Sequence, residues 1–228
     1  MKNNKIAILG VCSSFGASLL GTEKAPNIIR KQRIISKLEK MGFDCLDYGN
    51  IESTKMHKTE NIKLRNVDCV QDIEEQTYYK TKKIIEDNRM PIVLGGDHSI
   101  NTGSIMAVSE KYENLGIIWI DAHADFNDQT ISNSGNMHGM PLSAVCGLGP
   151  NEMIDFSTKK SFIKCENIVL IGGRDYEPLE YKKLRQNKVK FYEMSDIKKI
   201  GIKKVIDEAI FYLSGCWTSF VTLTTTAV

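Results

Sequence analysis

The sequence predicts a one-domain α/β protein, a three-layer α/β/α arrangement around a mostly parallel open sheet. Apolar runs of strand length alternate along the chain with amphipathic segments, as in proteins built from strand–helix–strand units. The apolar runs lack the in–out alternation of a strand with one wet face, which indicates a sheet covered on both sides. A chain of 228 residues is long enough to bury one good-sized core.

Six apolar runs are predicted to be strands. They are KIAILGV (5–11), FDCLDY (43–48), PIVLG (91–95), LGIIWID (115–121), NIVLIG (167–172) and KVKFYEM (188–194). Three segments between them, 27–41, 72–88 and 202–213, carry apolar residues at helical spacing with charged outer faces. Right-handed crossovers through such helices keep successive strands parallel.

Composition excludes several classes of function. The formal net charge is +2 and the basic residues are spread along the chain, so we expect neither a nucleic-acid nor a membrane partner. The six cysteines form no C-x-x-C pair, which is typical of reduced thiols in a cytoplasmic protein. No stretch approaches transmembrane length.

Three polar clusters directly follow predicted strands. GGDHS (95–99) follows PIVL, DAHAD (121–125) follows IIWI, and GGRDYEP (172–178) follows IVLI. Since open α/β sheets bind ligands at the carboxyl ends of their strands, these clusters are expected along one edge.

Two imidazoles and two carboxylates in these clusters predict a metal site. Strand alternation would turn Asp121, His123 and Asp125 toward one spot, which His98 can reach from the neighbouring strand end. A mixed nitrogen and oxygen donor set suits Mn²⁺, Fe²⁺, Co²⁺ or Ni²⁺, and manganese is favoured where carboxylates dominate. The same four residues could begin a two-metal site with Asp121 as the bridge.

Each motif alone also has a purely structural interpretation. DxHxD could form a hydrogen-bonded loop network. GGDHS could be a tight turn, with Gly95 and Gly96 supplying unusual backbone angles and Ser99 capping a helix. Their joint occurrence at predicted strand ends, with three of the four histidines in or beside them, favours the metal. The fourth, His57, lies in a polar stretch and is expected to be solvated.

The segment NDQTISNSGNMHGMP (127–141) is polar and long enough to wrap a small ligand. Asn127, Ser134 and Asn136 offer neutral donors and acceptors that suit a carboxylate or an amide. His138 is a candidate proton carrier because its ordinary pKa lies near physiological pH. An ordinary surface loop is the alternative, since Asn, Ser and Gly favour loops by themselves.

These motifs resemble the ureohydrolase family and, within it, the arginases. GGDHS, DAHAD and the spacing N-x6-S-G-N-x-H-G carry the resemblance, which runs from residue 5 to about 215. The segment GVCSSFGASLLGTEKAPNIIR, with Glu23 before Pro26 and Arg30, is similar to the family's first strand and loop. The resemblance implies a C–N hydrolase acting on linear amidines, with two Mn²⁺ per subunit, that converts L-arginine to L-ornithine and urea.

By this resemblance, His98 and Asp125 would ligate the first metal, His123 the second, and Asp121 would bridge the two. Hydroxide held by the metals would attack the guanidinium carbon.

The resemblance also implies the substrate contacts. Asn127, Ser134 and Asn136 would hold the α-carboxylate, and His138 would shuttle protons. Glu177 stands where arginases usually carry an aspartate near the α-amino group. Family members are homo-oligomers, trimers or hexamers. Agmatinases and formimidoylglutamases share the metal motifs and are the alternative hydrolases.

One family motif is incomplete. Arginases supply two more metal-binding aspartates in the form S-F-D-x-D, whereas Ser219 and Phe220 are followed here by Val221, Thr222 and Leu223. We therefore divide the chain into an incomplete arginase-like domain, 5–215, without its last strands and helices, and an atypical tail, 216–228. The tail is interpreted as a frameshift or premature stop and is not expected to continue the fold. With two carboxylates missing, the second metal site should be the weaker one; a non-catalytic truncated homologue is the alternative to an active enzyme.

Overall fold

The computed structural model describes residues 4–53, 61–216 and 218–223, and only the backbone at Leu223. The described strands are β1 (Lys5–Cys12), β2 (Asp44–Glu52), β3 (Met90–Leu94), β4 (Leu115–Ile120), β5 (Ile168–Gly173), β6 (Lys190–Glu193) and β7 (Thr218–Leu223). The helices are α1 (Ala25–Lys31), α2 (Ile34–Lys40), α3 (Val67–Glu86), α4 (Asn101–Lys111), α5 (Pro141–Val145), α6 (Pro178–Gln186), α7 (Met194–Ile200) and α8 (Ile202–Tyr212). His57 lies outside the described residues.

The strands pair only in parallel, as predicted, but in two sheets rather than one among the described residues. One sheet has the order β2-β1-β3 and the other β6-β5-β4-β7. In the first sheet β1 is central and α3 connects β2 to β3, and in the second β5 and β6 follow β4 in sequence order. The α/β class is confirmed.

Helices cover both faces of each sheet, because successive strand residues point to opposite sides. In β1, Ile6 and Ile8 pack with the helix pair α1 and α2, whereas Leu9 packs with Ile73 of α3 on the opposite face. In the second sheet, α7 and α8 cover one face, and the large core that includes α4 covers the other. The predicted three layers are therefore present in both sheets.

The predicted helix 27–41 is two helices. Gln32 and Arg33 separate α1 from α2, and Arg33 adopts a left-handed backbone conformation with φ 59°. A left-handed residue cannot continue a right-handed helix, so the chain turns there. Apolar periodicity does not predict this turn, because Ile29, Ile34 and Ile35, on either side of it, pack against the same core.

The expectation for the tail is wrong over residues 218–223. This stretch forms β7, which pairs in parallel with β4 from Leu115↔Thr218 to Ile120↔Leu223. Thr218, Phe220, Val221 and Thr222 suit a strand, since β-branched and aromatic residues pack well on a pleated surface. The frameshift remains a hypothesis about the gene.

Across the described residues, no helix combines the length and the apolar character that crossing a membrane requires.

Candidate metal centre

Three buried donors converge beyond the carboxyl ends of β3 and β4. Nδ1 of His98 lies 2.6 Å from Oδ2 of Asp125 and 2.9 Å from Oδ2 of Asp121. The three donor atoms lie within 4.8 Å of one another, and the described part of the chain holds no other such group of three or more acidic, histidine or cysteine side chains. Hard and borderline donors packed this closely are suited to a divalent cation.

A 3₁₀ turn after β3 holds His98 in place. The carboxylate of Asp97 accepts a hydrogen bond from the Ser99 backbone N–H at 3.1 Å, so Asp97 and not Ser99 is the cap. Neither Gly95 nor Gly96 has a positive φ, which corrects the expectation of unusual angles. Gly96 is needed for close approach instead, because a Cβ there would clash with the carbonyl oxygen of Ser13.

The DAHAD residues converge by a different route from the one predicted. The strand β4 ends at Ile120, so strand alternation does not operate over Asp121–Asp125. Instead the chain turns, and Asp125 takes a left-handed backbone conformation with φ 51°. Its carbonyl oxygen accepts a hydrogen bond from the Leu142 N–H at 3.0 Å. Such conformations are sparsely populated and are held by the surrounding contacts.

His123 joins the centre through Asp121 alone. Its Nδ1 lies 3.5 Å from Oδ1 of Asp121, while Oδ2 of the same carboxylate faces His98. On its other side, Nε2 of His123 lies 3.6 Å from Asp175. His123 is half-buried, unlike the other three. Asp121 therefore stands between two imidazoles, each next to a different carboxylate oxygen.

The two imidazoles of the centre lie next to carboxylates, and the pKa values of both imidazoles are raised. Burial acts to lower the pKa of His98, but hydrogen bonds to Asp121 and Asp125 outweigh it and raise that pKa to about 9. Hydrogen bonding to Asp121 raises the pKa of His123. Burial acts to raise the pKa of Asp121, yet hydrogen bonds from the two histidines bring it below its usual range. The Asp121 carboxylate thus stays charged and attracts positive charge.

Sequence reasoning missed two residues, Thr222 and Asn101, on the Nε2 side of the His98 ring. Nε2 of His98 lies 2.8 Å from the hydroxyl of Thr222 in β7, and the Asn101 amide donates to the same hydroxyl at 2.8 Å. A metal-binding histidine usually uses its second ring nitrogen in such a bond, which sets the ring orientation. No local signal could reveal this contact, since Thr222 is 124 residues from His98.

The segment 127–141 folds next to the centre. Asn127 is buried, Asn136 and His138 are half-buried, and Ser134 is exposed. The side-chain oxygens of Asn127 and Asn136 are buried without a hydrogen-bond partner among the described residues. Unpaired buried amides are costly, so they indicate a place for a polar ligand.

Two acidic residues at the start of α6, Glu177 and Glu180, differ in their contacts. Glu177, half-buried, accepts a hydrogen bond from the Asn133 side chain at 2.9 Å and so ties α6 to the segment 127–141. Glu180 was not predicted. It is buried and accepts the Phe126 N–H at 2.9 Å, and burial raises its pKa to about 7. Glu180 follows Glu177 by three residues at the start of a helix, and this spacing could have indicated that the two side chains lie on the same face.

Comparison with known proteins identifies relatives of the chain. The model of the Arginase family matches residues 4–224. The arginase of Staphylococcus aureus (strain COL) is 43% identical over 216 residues, covering 93% of this chain and 71% of that protein. The arginase of Bacillus subtilis (strain 168) is 36% identical over 211 residues, covering 92% and 71%.

Solved structures give the same grouping. The native arginase of Bacillus caldovelox superposes with a TM-score of 0.90 at 35% identity, covering 96% of this chain and 74% of that one. The arginase of Entamoeba histolytica in complex with L-ornithine superposes with a TM-score of 0.87 at 26% identity, covering 97% and 76%. The formimidoylglutamase of Bacillus subtilis, at 20% identity and a TM-score of 0.70, shares the fold.

Proposed function

The chain belongs to the arginase family, and we propose that it binds manganese at His98, Asp121, His123 and Asp125 and hydrolyses L-arginine to L-ornithine and urea. An arginase-type hydrolase is what its relatives indicate. The substrate, the metal and the roles of single residues are the proposal.

The main support for this proposal is the position of Asp121 between His98 and His123. One carboxylate oxygen faces each imidazole, at 2.9 Å and 3.5 Å. A carboxylate in this position could bridge two cations, one held by each imidazole. The donor set fits Mn²⁺, since two carboxylates and two imidazoles supply only oxygen and nitrogen.

The chain's own residues would divide the work. His98 and Asp125 would hold the first cation, His123 the second, and Asp121 both. When bound, divalent cations supply Lewis acidity and make hydroxide available near neutral pH. His98, Asp121 and Asp125 are buried, which limits competing water and strengthens their attraction for a cation.

The amino-acid end of the substrate would lie against the segment 127–141. The open amides of Asn127 and Asn136, with the exposed hydroxyl of Ser134, suit an α-carboxylate. Glu177 would attract the α-amino group while it stays bonded to Asn133. His138, half-buried on the same segment, would carry a proton to the leaving amine.

The second metal position should be the weaker of the two. Beside β4, the described strand β7 has Val221 and Leu223 where a family motif carries carboxylates, and Val221 is 59% exposed. Among the described residues, only His123 and Asp121 would then be ligands of the second metal. A weaker second site favours partial occupancy at low manganese, and binding without turnover is the second candidate function.

A manganese titration with a urea assay tests the proposal. Equilibrium dialysis against Mn²⁺ should show tight binding that Asp121→Asn abolishes, whereas Asp155→Asn, an exposed residue, should leave it unchanged. Urea release from arginine but not from agmatine would support the arginase over an agmatinase, because agmatine lacks the carboxylate. Manganese binding without urea release would favour the non-catalytic homologue. Absence of manganese binding in a folded chain would refute the metal site itself.

Two further features stay proposals. The family's trimeric or hexameric assembly and a cytoplasmic location both agree with a chain that acts on a small polar metabolite. Analytical ultracentrifugation would decide the first.

A further inference from the structure

We propose that Cys146 and Cys165 form a reversible disulfide when the folded chain meets a small-molecule disulfide such as oxidised glutathione. The two thiols lie within hydrogen-bonding reach of one another. They lie outside the metal centre, and the proposed hydrolysis makes no use of them.

The backbone holds the two cysteines side by side. Cys146 directly follows α5, and Cys165 begins the 3₁₀ turn Cys165–Asn167 that precedes β5. The Ile163 N–H donates to the Val145 carbonyl oxygen at 2.9 Å, which ties the two segments together one residue from Cys146. Both side chains pack against the edge of the same core. A disulfide needs an S–S distance of about 2.05 Å, and two thiols that interact directly can reach it by rotation of their side chains.

The surroundings make the two thiols chemically unequal. The hydrogen bond with Cys146 lowers the pKa of the Cys165 thiol, and it raises the pKa of Cys146, as burial also does. The ammonium of Lys183 acts to lower the pKa of both. Since the thiolate is the nucleophile, Cys165 is the attacking group and Cys146 the resolving one.

The exchange balances in two steps. The Cys165 thiolate attacks one sulfur of oxidised glutathione, the glutathione S–S bond breaks, and one glutathione leaves as a thiolate that takes up a proton. Cys146 then loses its proton as it attacks the Cys165 sulfur, and the second glutathione leaves as its thiol. The two protein thiols lose two electrons and two protons in all, and one glutathione disulfide becomes two thiols.

Three other cysteines, Cys12, Cys45 and Cys216, lack this activation. Burial raises the pKa of the thiols of Cys12, Cys45 and Cys216. A higher thiol pKa leaves less thiolate at neutral pH. The reaction should therefore be selective for the pair.

The cysteine pair is linked to the proposed substrate segment, 127–141, through Lys183. Lys183 also pairs with Asp128 of that segment at 2.5 Å and donates to the carbonyl oxygen of Leu148 at 2.9 Å. Oxidation of the pair would fasten the end of α5 to the entry of β5, next to the lysine that holds the segment.

Peptide mapping after oxidation tests the proposal. The folded chain is incubated with oxidised glutathione, free thiols are blocked with N-ethylmaleimide, and the digest is read by mass spectrometry. We expect a crosslinked Cys146–Cys165 peptide, a fall of two in the thiol count, and full reversal by dithiothreitol. Cys146→Ser should stop at a glutathione adduct on Cys165, Cys165→Ser should give neither product, and Cys45→Ser should behave as the wild type.

Two results would overturn the proposal. One is a wild-type chain that keeps all its thiols under conditions that oxidise a model dithiol. The other is a stable glutathione adduct on wild-type Cys165 without the crosslink. The wild-type map decides the question even if a serine variant fails to fold.

Discussion

The carboxylate of Glu110 should make a large, pH-dependent contribution to stability. Glu110 lies near the end of α4, and its side chain is 4% exposed. It accepts hydrogen bonds from the Tyr78 hydroxyl at 2.7 Å, the Ser157 hydroxyl at 3.0 Å and the Lys159 N–H at 3.1 Å, and it pairs with Lys82 at 3.2 Å. One charge thus joins α3, α4 and the loop after residue 156.

The magnitude follows from the pKa. Burial acts to raise the pKa of Glu110, but the hydrogen bonds outweigh it and lower the pKa from 4.5 to about 2. At ~1.4 kcal/mol per tenfold change in proton affinity, this corresponds to about 3 kcal/mol at neutral pH. Because the folded pKa is the lower one, the contribution is present above pH ~4.5 and is lost as pH falls toward ~2. At pH 3 about 1.4 kcal/mol remains.

Urea unfolding of Glu110→Gln at pH 7 and pH 3 measures this contribution. Glutamine keeps the shape and an acceptor oxygen, so the change removes mainly the charge. We expect a loss of about 3 kcal/mol against the wild type at pH 7 that shrinks to about 1 kcal/mol at pH 3. The exposed neighbour Glu113→Gln should change stability by less than about 0.5 kcal/mol. An equal deficit of Glu110→Gln at both pH values would refute the electrostatic explanation.

Three further changes probe the metal centre, the substrate segment and the core. Thr222→Val should weaken manganese binding about 10- to 100-fold in a titration, because His98 loses the bond that orients its ring; unchanged affinity would make that bond incidental. Asn127→Ala should raise the KM for arginine while the manganese content, measured by atomic absorption, stays constant; equal loss of metal would mean that its role is structural. Ile73→Ala should lower the free energy of unfolding by about 2–5 kcal/mol in urea, whereas Leu20→Ala, 88% exposed, should change it little.

Strand positions were predictable from the sequence where the strands are buried on both faces, as in β1, β4 and β5. Continuous apolar runs such as LGIIWI leave little doubt about where β4 lies, and its predicted end was off by one residue. The convergence of the proposed metal donors was also predictable, since three polar clusters follow three such runs. His98, Asp121 and Asp125 meet as expected.

What the sequence could not reveal depends on backbone conformation and on distant contacts. The left-handed conformations of Arg33 and Asp125 leave no trace in apolar periodicity, and both changed a local prediction. The contact of Thr222 with His98 depends on β7 pairing with β4, which is a long-range event. A search for acidic metal ligands does not find Thr222, because this threonine contacts the proposed ligand His98 and is not itself a proposed ligand.

The distance along the chain between His98 and Thr222 sets an order of events during synthesis. The two residues are 124 positions apart, so at 5–20 residues per second the ribosome needs roughly 6–25 s to make the second after the first. From the synthesis of Asp125 onward, the imidazole and its two carboxylates exist without the strand whose Thr222 contacts the imidazole. Metal loading is therefore expected to come late in the life of the nascent chain, after β7 has docked beside β4.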